Sequence, residues 1–181
     1  EDGRGTYLLN SKDLNMSAHL SELAQAGVVS LKIEGRMKSE YYLATVVNAY
    51  RRILDGGYTA ALAAELECVD HRSYTTAYAF GENNNTVHYE GSQAAGACEF
   101  VAVVRGHENG RTYVEMRNRF YENEVLEALS PTAPLAQKLT LSDLRDQSGA
   151  PCADAKLVQG VYSFASPVAL AEGDILRRRR K

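Results

Sequence analysis

The chain has 181 residues, of which 45% are hydrophobic and 24% are charged, and its net charge is −3. This composition is typical of a soluble globular protein with one large or two modest domains, and it excludes disordered and fibrous proteins. The sequence lacks both the apolar run of roughly 20 residues that spans a membrane and the basic start and apolar core of a secretory signal.

The first 57 residues are predicted to form two successive βα units. Thr6 to Leu9 indicates a short strand, and a polar turn over Asn10 to Asp13 leads to a helix over Ser17 to Ala26. A second strand follows, with its buried side chains predicted at Val28, Val29, Leu31 and Ile33. Two parallel strands leave a sheet edge open and a face uncovered, so these units are expected to belong to a larger fold.

A long helix is predicted after the second strand. Ser39 is a favourable N-cap, Glu40 adds negative charge in the first turn, and Gly56-Gly57 ends the helix. Apolar side chains recur between these ends at helical spacing, at Leu43, Val46, Val47, Tyr50, Ile53 and Leu54.

Residues 58–72 are predicted to be a linker, and residues 73–181 a small all-β barrel. An Asn109-Gly110 pair predicts a hairpin, since both residues tolerate a positive φ. Six short runs rich in β-branched and aromatic residues predict strands, over Glu99–Arg105, Thr112–Arg117, Glu124–Leu129, Gln137–Leu141, Lys156–Phe164 and Asp174–Arg177. The fold class is therefore α+β and multidomain.

Four segments of the chain resemble peptidase family U32, the collagenase-like proteases. They are RGTYLLNSKDL, SLKIEGRMKSEYY with its AYRRILD helix, SYTTAYAFG, and RNRFYENEVLEALSP. The chain departs from the family pattern at Ala77, where glycine is common, and at Asn123-Glu124, where Gly-Asp is common.

The resemblance implies that this chain is the C-terminal portion of an enzyme, that residues 1–57 end a barrel-like domain, and that the chain is inactive alone. The main expectation is a peptidase or hydrolase acting on a peptide or protein substrate, with the β-barrel as an accessory substrate-binding domain. The alternative is part of an iron–sulfur-dependent protein that hydroxylates tRNA or rRNA, or a non-catalytic interaction module. Upstream cysteines would hold the iron–sulfur cluster in the full-length protein, so no cofactor is expected in this chain.

A charged cluster follows the second predicted strand, at the end where βα folds carry their chemistry. We expect Glu34 to act as a general base or acid, and Lys32, Arg36 and Lys38 to hold an anionic group of the substrate. The alternative interpretation is a solvated strand end with one or two salt bridges. No metal site is predicted.

A second cluster joins Arg117 to Asn118, Arg119 and Phe120, which we expect to contact the substrate. If that substrate is RNA, stacking partners are available in aromatic residues of the barrel region. These are Tyr74, Tyr78, Phe80, Tyr113 and Tyr121. The alternative places Phe120 in the core and has Asn118 bond to the backbone.

The last five residues, Arg177 to Lys181, carry five positive charges and leave residues 1–176 with a net charge of −8. Such a terminal run is predicted to be disordered and solvated. Cys68, Cys98 and Cys152 lack metal-ligand spacing, and an odd number of cysteines fits a reducing compartment, so a cytoplasmic location is expected. The sequence does not indicate an oligomeric state.

Overall fold

A computed structural model describes residues 10–82, 86–88 and 95–180. They divide into two compact units, Glu1–Ala97 and Cys98–Lys181. The helices of the described residues lie in the first unit, and the second unit is built from antiparallel strands, which confirms the predicted α+β class. The predicted strand at Thr6–Leu9 lies outside the described residues.

The described residues of the first unit form three α-helices and a two-stranded parallel sheet. A 3₁₀ turn at Ser17–His19 precedes the first helix. The strands are β1 (Asp13–Leu14) and β2 (Tyr74–Thr75), and the helices are α1 (Leu20–Gln25), α2 (Glu40–Gly56) and α3 (Ala60–Leu66). Asp13 is opposite Tyr74, and Leu14 is opposite Thr75, so the end of the predicted polar turn is part of a strand.

The predicted strand at residues 28–33 is wrong. The segment has no strand or helix assignment, and Val29 and Leu31 are 99% and 40% exposed. A strand forms only where a neighbouring backbone supplies hydrogen bonds, and no described residue pairs with this segment. The apolar residues of this segment have the spacing of a strand, but the described part of the chain has no partner strand for them.

Helix α2 has the predicted ends. Ser39 Oγ accepts a hydrogen bond from the Tyr42 backbone N–H (3.2 Å), and Gly57 follows the helix with φ 88°. The buried side is narrower than predicted, because Leu43, Val47 and Leu54 are exposed. The buried residues are Tyr41, Thr45, Val46, Ala49 and Ile53.

Residues 58–97 remain with the first unit, whereas the sequence placed the linker at 58–72. Pairing of Tyr74–Thr75 with β1 holds the segment to this unit, and the Gly96 backbone N–H donates to Asp70 Oδ1 (2.6 Å). A side chain at Gly96 would meet the Val69 carbonyl carbon at 2.4 Å, so only glycine allows this close approach.

The described strands of the second unit are β3 (Cys98–Glu108), β4 (Arg111–Met116), β5 (Phe120–Tyr121), β6 (Val125–Leu129), β7 (Gln137–Thr140), β8 (Ser142–Arg145), β9 (Asp154–Ala155), β10 (Val161–Ala165) and β11 (Ile175–Arg179). Seven of them form an antiparallel sheet that curls into a half-barrel, in the order β7-β6-β11-β3-β4-β10-β8. A separate pair joins β5 to β9. The hairpin between β3 and β4 turns at Asn109-Gly110 with φ of 50° and 76°, which confirms that prediction.

Arg177–Arg179 of the predicted basic tail belong to the inner strand β11, so the predicted disorder is wrong for these residues, while Lys181 lies outside the described residues. Arg177 is fully buried and pairs with Glu127 (Nη2–Oε2, 3.3 Å), while Arg179 pairs with the other oxygen of Glu127 (2.9 Å). Arg178 contacts Glu99 and Glu124, each at 2.7 Å. Carboxylates on neighbouring segments therefore neutralise the run and hold it in the sheet.

We expect Glu127→Ala to lower the free energy of unfolding of the second unit by about 3–5 kcal/mol, because it leaves the Arg177 charge buried without its partner. Urea unfolding followed by circular dichroism measures this. The matched control is Glu99→Ala, whose ion pair with Arg178 is partly exposed and should contribute no more than about 1 kcal/mol. Equal effects of the two substitutions would contradict the assignment of Arg177 as a buried charge.

Tyr74 provides a second prediction. Burial, followed by the charge of Glu67, raises the pKa of Tyr74 above its ordinary value of 10.0. Below pH 10 both folded and unfolded chains keep this proton; above it the unfolded chain loses the proton first, so stability decreases as pH rises. Tyr74→Phe should lower stability at neutral pH by about 1 kcal/mol, through loss of the bond to the Leu66 carbonyl, and reduce this alkaline sensitivity.

Unfolding midpoints measured at neutral pH and above pH 10 test this expectation. Tyr78→Phe is the control, because Tyr78 is 67% exposed. An alkaline loss of stability that is the same in Tyr74→Phe as in the unmodified chain would show that Tyr74 does not contribute to it.

Candidate functional site

The first unit contains a cavity of about 570 Å³ beside the segment that carries the first predicted charged cluster. Its walls are mainly aliphatic, with two tyrosines and four charged residues. They comprise Asp13, Leu14, Met16, Leu20, Leu23, Val28, Leu31, Lys32, Ile33, Glu34, Lys38, Tyr42, Val46 and Tyr50. A mainly apolar hollow with a few polar groups is the usual form of a small-ligand or base-binding site.

One side of α2 supplies a wall of the cavity. Tyr42, Val46 and Tyr50 are four residues apart and therefore lie on one helix face, and Lys38 lies just before the helix. The sequence analysis counted Val46 and Tyr50 as core residues and did not name Tyr42. The i, i+4 spacing that begins at Lys38 is the signal that could have identified this wall.

Lys38 belongs to a network with residues distant in sequence. Its Nζ lies 3.7 Å from Asp13 Oδ2, donates to the Asp70 carbonyl (3.2 Å) and is 4.8 Å from the centre of the Tyr42 ring. Asp13 Oδ2 also accepts from the Arg72 backbone N–H (3.1 Å). Lys38 therefore connects β1 to the start of α2, and part of its charge is already balanced by Asp13.

Tyr50 fixes the turn after β1. Its hydroxyl donates to Asn15 Oδ1 (3.2 Å) and accepts from the Met16 backbone N–H (3.2 Å). Burial raises the pKa of Tyr50, and burial together with the Asp13 charge raises the pKa of Tyr42. Both phenols are thus neutral hydrogen-bonding groups at physiological pH.

Lys32 and Glu34 lie at the rim of the cavity. They form an ion pair of 3.1 Å, and their side chains are 85% and 70% exposed. Arg36 is exposed as well. This geometry matches the alternative interpretation of a solvated, salt-bridged segment, and it leaves Lys32, Glu34 and Arg36 accessible to a substrate. Their predicted roles stay predictions.

The second predicted cluster, Arg117 to Phe120, lies in the second unit, where its side chains contact neighbouring segments of that unit. Phe120 is fully buried in the core, so its ring has no surface for a substrate. Asn118 Nδ2 donates to the Phe100 carbonyl (2.7 Å), and Arg119 Nε donates to Asp154 (2.8 Å). The structure therefore corrects the substrate-contact role of Phe120 and matches the alternative given for Asn118. The role of Arg119, which also lies over the Tyr121 ring, stays a prediction.

An iron–sulfur cluster does not fit the described residues of this chain. Cys68, Cys98 and Cys152 are not joined in disulfides, and no three His, Cys, Asp or Glu residues in the described ranges lie close enough to hold a metal ion. Buried Cys68 Sγ contacts the Ala64 carbonyl at 3.7 Å within the first unit, whereas Cys98 opens β3 in the second. A cluster bound by upstream cysteines of a longer protein stays a prediction.

Within residues 10–82, 86–88 and 95–180, no helix combines the length and the apolar character needed to cross a membrane.

The chain is similar to curated proteins that act on RNA. It is 34% identical to tRNA hydroxylation protein P of Escherichia coli, over 82% of this chain and 34% of that protein. It is also 34% identical to tRNA hydroxylation protein P of Haemophilus influenzae, over 77% of this chain and 32% of that protein. A shorter segment is 45% identical to the Escherichia coli 23S rRNA 5-hydroxycytidine C2501 synthase, over 27% of this chain and 8% of that protein. The chain thus spans about a third of the length of the first two relatives.

A solved structure is similar to part of the chain. The C-terminal domain of a Geobacillus thermoleovorans U32 peptidase has a TM-score of 0.41 and 21% identity, over 44% of this chain and 99% of that domain. Two family profiles together cover more of the chain than this structure does. Residues 1–89 match peptidase family U32, and residues 97–177 match the peptidase family U32 C-terminal domain. The chain belongs to peptidase family U32, as its sequence motifs predicted.

Proposed function

We propose that this chain acts as part of a longer protein that takes part in hydroxylating a base of RNA, with tRNA as the substrate. The observation that carries the proposal is the 34% identity to a tRNA hydroxylation protein over 82% of this chain. This similarity favours the RNA alternative of the sequence analysis over the peptidase expectation. An enzyme acting on tRNA would work in the cytoplasm, as expected from the free cysteines.

The cavity of the first unit gives the proposal a physical site. An unstacked base is planar and mostly apolar on its faces, and it is recognised by a few polar groups at its edges. The aliphatic walls suit the faces, and Tyr42 in the same lining carries a neutral hydroxyl. The Tyr50 hydroxyl is already bonded to Asn15 and Met16. The exposed cations Lys32 and Arg36 are available to phosphate oxygens, and Glu34 to a proton of the substrate.

Peptidase activity is the second candidate, because the structure contains a Ser–His contact. Ser73 Oγ lies 2.9 Å from His88 Nδ1. The chain is also 40% identical over 87 residues to an uncharacterized protease of Methanocaldococcus jannaschii. Against this candidate, His88 is only 4% exposed and no described carboxylate orients it. The pair is better explained as a buried link between β2 and residues 86–88.

Deletion of the gene should remove a hydroxylated nucleoside from tRNA, as measured by mass spectrometry of digested tRNA. We expect restoration by the full-length protein, and about 100-fold less product with Glu34→Gln, because the amide cannot take up a proton. Glu34 is 70% exposed, so the substitution should leave the unfolding midpoint unchanged. Glu108→Gln, on the exposed hairpin, is the matched control.

Two outcomes would contradict the proposal. Unchanged tRNA in the deletion strain would remove the hydroxylation function itself. Peptide cleavage by the full-length protein that disappears in Ser73→Ala, with tRNA unaffected, would establish the peptidase candidate. Full activity of Glu34→Gln would contradict only the role of that carboxylate.

A further inference from the structure

The five aromatic residues considered for stacking differ in how the structure uses them. The Tyr74 ring stacks on His71 (4.1 Å between centroids), and its hydroxyl donates to the Leu66 carbonyl. Tyr121 lies beneath the Arg119 guanidinium (5.1 Å), and Tyr113 is half-buried on β4. Tyr78 and Phe80 have the most exposed side chains of the five, at 67% and 63%.

These two rings project from a turn that is held by its own backbone. The turn follows β2, and hydrogen bonds join the Ala79 N–H to the Thr76 carbonyl (3.1 Å) and the Gly81 N–H to the Tyr78 carbonyl (3.2 Å). Thr75 Oγ1 accepts from the Ala77 N–H (3.0 Å), and Ala77 has φ 48°. A fixed backbone keeps both rings at the surface, although their exposure forfeits hydrophobic stabilisation.

The turn lies beside the cavity of the first unit. Phe80 contacts His19, with 4.6 Å between ring centroids, and His19 lies between Met16 and Leu20, which line the cavity. Both β1 and β2 run toward this end of the parallel pair, since the turn follows β2 and Met16 follows β1. A nucleic acid with one base in the cavity would therefore have neighbouring bases close to the two rings.

We propose that Tyr78 and Phe80 form a stacking platform for the bases of single-stranded RNA that flank the base bound in the cavity. The inference rests on the proposed function and deepens it. Between and around the rings the turn has only small side chains, at Thr76, Ala77, Ala79 and Gly81. Exposed ring faces suit the planar faces of bases, because every base can stack on an aromatic ring.

Stacking also resolves an electrostatic difficulty. The chain has a net charge of −3, and arginines of its most basic run are paired with carboxylates. Phosphate contacts alone therefore give little affinity. Stacking of a base on an aromatic ring adds affinity without any charge.

The test is binding of a short single-stranded RNA of mixed sequence, with a fluorescent adenine analogue, to the full-length protein. Tyr78→Leu with Phe80→Leu keeps apolar side chains but removes both ring faces. We expect this double variant to bind at least about 25-fold more weakly, from about fivefold for each ring. We also expect it to lose the stacking-induced change in fluorescence.

Two controls separate stacking from other effects. Tyr78→Phe with Phe80→Tyr retains both rings and should bind RNA like the unmodified protein. Tyr58→Leu removes another exposed ring, which is 48% exposed between α2 and α3, and should also leave affinity unchanged.

RNA affinity that is unchanged in the leucine double variant would overturn the platform. So would a lower unfolding midpoint of the full-length protein with unchanged RNA affinity, since the rings would then pack against protein. If deletion of the gene removes tRNA hydroxylation but the leucine double variant binds RNA with unchanged affinity, only the proposed stacking platform is contradicted. If the unmodified protein does not bind RNA and the deletion strain has normal tRNA, the proposed function fails as well.

Discussion

A buried charge constrains the second unit more than any other contact described above. Arg177 is fully buried in β11, between β3 and β6, and an isolated guanidinium there would lose its hydration without compensation. Glu127 on β6 supplies the opposite charge. Strands β6 and β11 therefore have to come together for either charge to be buried, which ties the end of the chain to the middle of the sheet.

The parts of the fold that could be predicted from the sequence are those set by local chemistry. The ends of α2 depend on Ser39 and Gly57, and the hairpin depends on Asn109-Gly110, so each carries its signal within a few residues. The strand at residues 28–33 and the disordered tail were wrong for the opposite reason. The first depends on a partner strand that no pattern reveals, and the second on carboxylates that are 50 to 79 residues away from Arg177 and Arg178.

The candidate site shows the same division. The sequence placed Lys32, Glu34 and Arg36 together because they are adjacent, and the structure leaves them on an exposed segment beside the cavity. It could not show that Lys38 contacts Asp13, since that contact depends on how β1 meets α2. Phe120 was misjudged because a ring beside two cations has the same sequence pattern whether it faces solvent or the core.

Pairing of the basic run changes what RNA binding requires of this chain. A disordered cationic tail would attract any polyanion, with strong dependence on salt. Once its arginines are paired with carboxylates inside the sheet, as Arg177 is with Glu127, that general attraction is reduced. If the chain binds RNA as proposed, more of the affinity then has to come from contacts with the bases, which depend less on salt and more on whether the RNA is single-stranded. Under that proposal, the cavity and the two exposed rings beside it would supply such contacts and would favour unpaired bases.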